Sequence, residues 1–202
     1  MQLAYLVRLR LMMTRYFQPQ ILKVRKIIGR SLVFRDANVS DASFILSLRM
    51  DSSLNQFLSK TSPELSDQEK FLENYERKIS GEAYFVIEKE GQPVGTVRLY
   101  DPQGDSFCWG SWIVKEGESP AVAIESLLMV YAFGCDFLGF NWAHFDVRRE
   151  NRSVWRFHES FGAKRTSENT LDIFYAIDRN SIDRARRKYK NFLPEGIKID
   201  ST

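Results

Sequence analysis

Residues 107–163 constrain the fold of this chain most, because their apolar residues change twice from a strand pattern to a helix pattern. The run FCWGSWIV, residues 107–114, has the aromatic and β-branched content of a buried strand. Ser119-Pro120 then predicts a helix start, because a serine side chain can accept hydrogen bonds from free N–H groups and proline fits the first helical position. The segment therefore predicts a strand that leads directly into a helix.

A long, buried helix is predicted next, from apolar side chains that recur every 3.6 residues. They are Ile124, Leu127, Leu128, Tyr131, Cys135 and Leu138. Residues 141–147, NWAHFDV, predict a second strand, and Asn151 can cap a shorter helix. A strand that ends at a helix N-terminus offers unpaired N–H groups and the positive end of the helix dipole to an anion such as a pyrophosphate. An α/β unit that binds nothing has the same pattern, so both interpretations stay open at this point.

The composition is that of one globular domain with a full core, since 202 residues are too few to predict two domains. A net charge of +3 gives no support for nucleic-acid binding. Cys108 and Cys135 both fall within predicted core elements, so we interpret them as small buried hydrophobes in a reducing compartment. No apolar run predicts a membrane span. We therefore expect a cytoplasmic protein without a bound metal.

Residues 1–30 predict a basic N-terminal extension. They are rich in Lys and Arg, and the first acidic residue of the chain is Asp36. Basic and apolar residues are mixed in LAYLVRLRLMM and ILKVRKII, whereas a secretory signal has an unbroken apolar stretch. A basic amphipathic segment can make a weak contact with an anionic membrane surface. A loosely ordered extension, or an arm packed on the partner of a homodimer, explains the same pattern.

The remaining chain predicts one α/β domain over residues 31–178, followed by a basic C-terminal helix and tail over residues 179–202. Residues 31–36 predict a first strand, and two helices follow it. AYFVIEKEGQPVGTVRLYD is the clearest hairpin, with Gly95 indicating a bulge or a close backbone approach. Residues 171–177, LDIFYAI, predict the last strand. The RARRKYK stretch predicts a solvated, charged helix rather than a nucleic-acid site.

Several motifs in this order resemble the acyl-CoA core of the GNAT superfamily of N-acetyltransferases. They are GSWIV, AVAIESLL, FDVRREN and NRSVWRFHESFGA. Glu125 matches a Glu in the long helix of the branch that includes ribosomal-protein N-terminal acetyltransferases and bacterial amino-sugar acetyltransferases. The resemblance extends over about residues 31–177.

The resemblance implies a fold of the α/β class, a twisted mixed β-sheet flanked by helices on both faces, with two central strands splayed apart. It also implies that acetyl-CoA is the cosubstrate, with no metal. In the family, the main chain of one strand, the following helix N-terminus and a helix cap hold the cosubstrate. The matching positions here are Trp112, Ile113, Val114, Ser119, Ala121, Val122, Ala123 and Asn151.

Two positions depart from the pattern of the family. The pyrophosphate loop of the family has Arg or Gln followed by glycines, whereas residues 118–123 are ESPAVA here. His158 occupies the position of the tyrosine that serves the family as general acid. The resemblance therefore makes His158 the candidate that protonates the CoA thiolate, and a half-exposed helix residue without a catalytic role is the alternative.

The other histidine, His144, is our candidate for the general base. Period-two alternation places His144, Asp146 and Arg148 on one face of a central strand, where polar groups are costly to bury without a function or a partner. A neutral imidazole near pH 7 suits proton abstraction, and Asp146 would orient it. A structural histidine with a backbone partner explains the pattern equally well.

In the family, the first two helices and the loop after the hairpin form the acceptor site. The matching positions are Arg49, Asn55, Gln68, Arg98 and Tyr100. The motifs LYD, WGSW, AIES, HFDVR and FHESFGA look most like enzymes of bacterial surface-polysaccharide synthesis. We therefore expect an N-acetyltransferase that acts on a nucleotide-linked amino sugar by direct attack of the amine on the thioester. A protein N-terminal acetyltransferase and a non-catalytic GNAT-like binding module are the alternatives.

Overall fold

The computed structural model describes residues 18–200, and within them nine strands form one mixed sheet. The strands are β1 (Lys26–Ile28), β2 (Leu32–Asp36), β3 (Ala83–Lys89), β4 (Gln92–Gln103), β5 (Ser106–Val114), β6 (Trp142–Arg148), β7 (Lys164–Glu168), β8 (Asp172–Asp178) and β9 (Lys198–Asp200). The helices are α1 (Ala42–Met50), α2 (Leu65–Glu76), α3 (Pro120–Tyr131), α4 (Arg152–Ser160) and α5 (Arg179–Lys188).

The strands of the described sheet lie in the order β7-β8-β6-β5-β4-β3-β2-β1-β9. Each neighbouring pair is antiparallel except β5 and β6, which run parallel. Parallel neighbours need a crossover connection, and α3 supplies it. The predicted succession of strand, helix, strand and helix over residues 107–163 is confirmed, and so is the predicted fold class.

Alternation along β3 separates two hydrophobic cores. Ala83, Phe85 and Ile87 pack into the larger core together with α3 and α5, whereas Tyr84 and Val86 face a smaller core formed with α1 and α2. Because successive side chains of a strand point to opposite faces, the two sets of helices cover opposite faces of the sheet.

The helix α3 is almost fully buried, as its apolar sequence predicts. It continues into a π-helical turn, Ala132–Phe137, where a Cβ on Gly134 would lie 2.3 Å from the Phe107 ring. By length and composition alone, the segment Pro120–Phe137 could cross a membrane, which we had not expected of any stretch. However, 67% of that segment is buried within the domain, where it forms the central core helix.

Glu125 connects α3 to the start of β2. Its carboxylate accepts hydrogen bonds from Ser31 N at 2.7 Å, from Leu32 N at 3.0 Å and from the Ser31 hydroxyl. Glu125 is only 3% exposed, and a buried carboxylate needs such donors to offset its desolvation. The glutamate that contributes to the family resemblance therefore has a structural role in this chain.

Where the structure describes them, both predicted terminal segments contribute one strand to the sheet and apolar side chains to the larger core. Ile21, Val24 and Ile27 are buried in the larger core, and β1 pairs with β2 on one side and with β9 on the other. Helix α5 likewise buries Ile182 and Ala185, so it is amphipathic rather than solvated all round. Strands of three residues are too short for periodicity to reveal them. Residues 1–17 of the predicted extension lie outside the described residues.

We expect Glu125→Ala to lower the free energy of unfolding by about 3 kcal/mol, because two main-chain N–H groups and a hydroxyl lose their acceptor. Urea denaturation followed by circular dichroism measures this change. Glu73→Ala is the control, since Glu73 is half exposed and only pairs with Arg77 at 3.8 Å, so about 0.5 kcal/mol or less is expected. Equal losses in the two variants would contradict the structural role of Glu125.

Candidate active site

The strands β5 and β6 pair over three residues and then separate. Residues 106–108 lie in parallel register with residues 142–144, and no ladder pairs join the described residues of the two strands beyond them. The gap contains a cavity of about 350 Å³, which we call the central cleft. It is lined by residues 109–112 of β5, residues 145–148 of β6, Asn151, Val154 and His158 of the α4 segment, and Arg49, Tyr100 and residues 57–59. The splayed central strands that the resemblance implied are therefore present.

A β-bulge in β5 turns its main chain at the cleft. Ser111 and Trp112 together oppose a single residue of β4. Ser111 has a φ of +47°, a strained value for a residue other than glycine, and the Thr96 hydroxyl donates to its carbonyl oxygen at 2.8 Å. Bulges re-aim backbone and side-chain groups and occur often beside active sites. This one directs peptide groups of β5 into the cleft.

The strand positions predicted to hold the cosubstrate lie in this bulge and directly after it. Trp112 lines the cleft, and its indole N–H donates to Ser126 Oγ of α3 at 3.1 Å. Ile113 is buried and Val114 is partly exposed. The main chain of β5 is thus held by β4 on one edge, and its other edge at these residues carries no ladder partner in the described sheet.

The N-terminus of α3 lies at Pro120, as predicted, but the Ser119 side chain makes no capping hydrogen bond. Ser119 and Ala121 are exposed, Ala123 is partly exposed and Val122 is buried. Pro120 has no N–H and the Val122 N–H donates to the Ser119 carbonyl at 2.9 Å, so the uncapped first turn offers its remaining N–H groups and the helix dipole to phosphate oxygens.

Glu118 is the acidic residue of the loop that departs from the family pattern. Its carboxylate pairs with Lys89 Nζ at 3.0 Å, which offsets the charge that would otherwise repel an anion at the helix start. The main chain and charges present at the start of α3 therefore fit the pyrophosphate of CoA without the Arg and glycines of the family.

His158 lines the cleft from within an aromatic cluster. Its ring centroid lies 4.6 Å from that of Phe145, 5.3 Å from that of Trp109 and 5.8 Å from that of Trp112. The residue is 2% exposed, and its Nδ1 has no hydrogen-bond partner among the described residues. Burial lowers the pKa of His158 to about 3. The neutral imidazole can donate one N–H hydrogen bond, but it carries no second proton to give to a thiolate.

Asn151 is the N-cap of α4, as predicted. Its side-chain oxygen accepts from Val154 N at 3.4 Å and from the Ser153 hydroxyl at 3.2 Å. Asn151 also lines the central cleft, so its contact with the cosubstrate stays a prediction that this position allows.

His144, Asp146 and Arg148 share one face of β6, as predicted, but only Asp146 and Arg148 line the cleft. His144 Nδ1 lies 2.7 Å from the Ser106 hydroxyl, and its Nε2 lies 4.0 Å from Asp101 Oδ2. Within residues 18–200 no hydrogen bond joins His144 to Asp146. Ser106 therefore occupies the orienting position that we had assigned to Asp146, while Asp101 lies beyond hydrogen-bond distance of the imidazole.

The pKa shifts of the two groups differ in direction. Burial lowers the pKa of His144, so its imidazole is neutral near pH 7. Burial raises the pKa of the Asp146 carboxyl, and the nearby Asp172 carboxylate raises it further. Because His144 Nε2 is itself buried, a proton from the cleft must reach it through a neighbouring group or a water molecule.

A second cavity, of about 300 Å³, adjoins the cleft, since Arg49, Ser59 and Ser111 line both. The predicted acceptor contacts that line one cavity or both are Arg49, Gln68, Arg98 and Tyr100. Asn55 lines neither and instead donates to the Met50 carbonyl at 3.4 Å. The candidate acceptor contacts are thus brought together, except for Asn55.

The sequence reasoning missed the bulge at Ser111 and the contacts of His144 with Ser106 and Asp101. These side chains belong to no local motif. They reach the site only through the register of β4, β5 and β6, which depends on long-range pairing. The short polar turn between β4 and β5 was the one available signal, because it brings Asp101 and Ser106 to the same end of the sheet.

Parallel strands that separate beside a bulge and are joined by a crossover helix are the arrangement that the resemblance to the GNAT superfamily implied for an α/β acyltransferase. The sequence profile of the acetyltransferase (GNAT) domain family matches residues 31–164. The structure is similar to that of apo FdhC, a nucleotide-linked sugar GNAT, with a TM-score of 0.71 and 35% identity over 86% of this chain and 98% of that chain. The chain therefore belongs to the GNAT family of N-acetyltransferases, whose members use acetyl-CoA.

Two more distant structures share the fold. A GCN5-related N-acetyltransferase from Brucella melitensis has a TM-score of 0.72 at 18% identity, over 90% of this chain and 91% of that chain. A spermidine N-acetyltransferase SpeG chimera from Vibrio cholerae has a TM-score of 0.64 at 16% identity, over 76% of this chain and 98% of that chain. Likeness at these identities shows the fold alone. No curated protein sequence gives a significant match.

The depressed pKa of His158 predicts a pH dependence of stability. The unfolded chain binds a proton at this histidine below about pH 6.5, whereas the folded chain does so only below about 3, so folding loses stability as pH falls through that window. Between pH 7.5 and 5.0 the loss is about 2 kcal/mol, and we expect His158→Phe to abolish it.

Urea denaturation at the two pH values measures the difference. His144→Asn is the matched control, because the side chain of His144 is 24% exposed and its removal should change the difference much less. An unchanged pH dependence in His158→Phe would contradict a neutral, buried His158.

Proposed function

We propose that this protein transfers the acetyl group of acetyl-CoA to an amino group of a nucleotide-linked amino sugar, in the synthesis of a surface polysaccharide. The observation that carries the proposal is the central cleft, which is lined by the bulged main chain of β5 and by Asp146 and adjoins the second, basic cavity. The 35% identity to a nucleotide-linked sugar GNAT supports the acceptor class.

The donor side of the site is formed by main chain. The free edge of β5 at residues 112–114 is available to the amide groups of the pantetheine arm, and the first turn of α3 is available to the pyrophosphate. The amine nitrogen attacks the thioester carbonyl carbon, so that a C–N bond forms and, after collapse of the tetrahedral intermediate, the C–S bond breaks. A main-chain N–H beside the Ser111 bulge stabilises the oxyanion.

Proton transfer uses the side chains of the cleft. Asp146 binds the acceptor amine and accepts the proton that the nitrogen loses, which its raised pKa favours. The thiolate takes up a proton through water, while the neutral His158 donates a hydrogen bond to the sulfur. His144 is the second proton acceptor rather than the first, because it does not line the cleft.

We expect thiol release from acetyl-CoA with at least one nucleotide-linked amino sugar, and none with peptides that have free N-termini. The assay is a thiol-reactive dye with both panels of acceptors, and acetyl-CoA without acceptor is the control for hydrolysis. Release with peptides only would replace the proposal by protein N-terminal acetylation. No release in either panel, together with no binding of acetyl-CoA, would leave a non-catalytic binding module.

Variants separate the two candidate bases. We expect Asp146→Asn to lower kcat about 100-fold, because the amine loses its proton acceptor in the cleft. His144→Ala should lower kcat by a smaller factor, and neither variant should change the Kd of acetyl-CoA. Glu150→Gln, at an exposed acidic residue just after β6, is the control. A larger effect of His144→Ala than of Asp146→Asn would make His144 the primary base.

A further inference from the structure

The second cavity contains more positive than negative charge. Arg49, Lys60 and Arg98 line it, and Asp67 is the acidic residue in its lining. Asp67 is half exposed and lies 3.9 Å from Lys70, so its charge is partly balanced outside the cavity. The cavity is therefore cationic, and we refer to it as the basic pocket.

The Arg49 guanidinium has neutral partners. Its Nε donates to Thr61 Oγ1, and one terminal nitrogen donates to Ser59 Oγ at 3.0 Å and to the Ser59 carbonyl at 3.2 Å. No carboxylate pairs with Arg49 among the described residues. These bonds orient the guanidinium without neutralising it, so its full charge is available to an anion.

Arg98 is held in place from behind. Its Nε donates to Glu82 at 2.7 Å, and Lys78 pairs with the same carboxylate, so these three groups carry a net positive charge. The guanidinium carbon of Arg98 lies 4.9 Å from the Tyr100 ring and 5.4 Å from the Phe71 ring. Arg98 therefore has a fixed orientation at the wall of the pocket before any ligand arrives.

Phe71 adds an exposed aromatic surface to the same pocket. It lines the pocket and is 38% exposed, with its ring 6.1 Å from that of Tyr84. An aromatic face beside a cationic groove is the combination that binds a nucleobase together with its phosphates.

We propose that the basic pocket binds the nucleoside diphosphate of the acceptor, with Arg49, Lys60 and Arg98 at the diphosphate and Phe71 at the base. The position of the amine in this arrangement rests on the proposed function. Because Arg49 and Ser111 line both cavities, a sugar attached to that diphosphate extends into the central cleft, which Asp146 lines. A single carboxylate on the acceptor would not require three cationic side chains.

Calorimetry tests the pocket without any turnover. Uridine diphosphate and thymidine diphosphate are titrated into the protein saturated with CoA, so that the start of α3 is already filled. We expect binding by the wild type, a Kd at least about 10-fold higher in Arg49→Gln, and a smaller increase in Lys60→Gln. Arg77→Gln, at an exposed arginine that only pairs with Glu73, is the control and should not change the Kd.

Lys60→Gln tests the pocket even if Arg49→Gln disturbs the local fold. Lys60 is exposed, and its substitution leaves the hydrogen bonds from Arg49 to residues 59 and 61 in place. The same Kd in the wild type and both variants would overturn the inference. Acetylation of a nucleotide-linked amino sugar with no binding of either nucleotide would overturn it as well, while the proposed function would stand. Binding that is weakened in both variants, without acetylation of any acceptor, would support the pocket and count against the proposed function.

Discussion

The separation of β5 from β6 is the constraint on which the rest of the structure depends. Buried main-chain groups without hydrogen-bond partners cost free energy, so parallel strands normally continue their ladder. Here the ladder ends at Cys108 and His144, and the large rings of Trp109, Phe145 and His158 pack where the two strands have diverged. Side-chain volume therefore keeps the cleft open before any ligand binds. The unpaired edge of β5 is then available to a ligand with amide groups. Such a ligand can form the main-chain hydrogen bonds that β6 does not form beyond His144.

Catalysis in a cleft of this kind requires the groups that line it to stay at fixed distances from one another. The buried helix α3 provides that rigidity. As the crossover between β5 and β6, it is buried against the sheet and cannot tilt without opening the larger core. Trp112 ties β5 to Ser126 of α3, and Glu125 ties α3 to β2. In the proposed reaction the bulge and the helix N-terminus hold the same cosubstrate, and these bonds fix the position of one relative to the other.

The sequence predicts the parts of this fold that depend on local pattern. The β3–β4 hairpin, the start of α3 at Pro120 and the cap at Asn151 follow from periodicity and from the chemistry of single residues. The strands β1 and β9 do not, because three residues show no periodicity and the two strands pair with each other across most of the chain. The surroundings of His144 depend on strand register for the same reason. Period-two alternation could place His144, Asp146 and Arg148 on one face, but only the register decides that Ser106, rather than Asp146, contacts the imidazole.

In the proposed complex, the two halves of the site attract anions by different means. On the donor side, residues 118–123 have no Lys or Arg, so the attraction comes from main-chain N–H groups and the dipole of α3. On the acceptor side, Arg49, Lys60 and Arg98 supply it through side chains, of which Lys60 is exposed. Two substrates that both carry a diphosphate repel each other, and salt screens that repulsion beyond about 8 Å. In the proposed complex, separate anion-binding sites at the start of α3 and in the basic pocket let both substrates bind at once, with only the uncharged acetyl and amino groups meeting in the cleft.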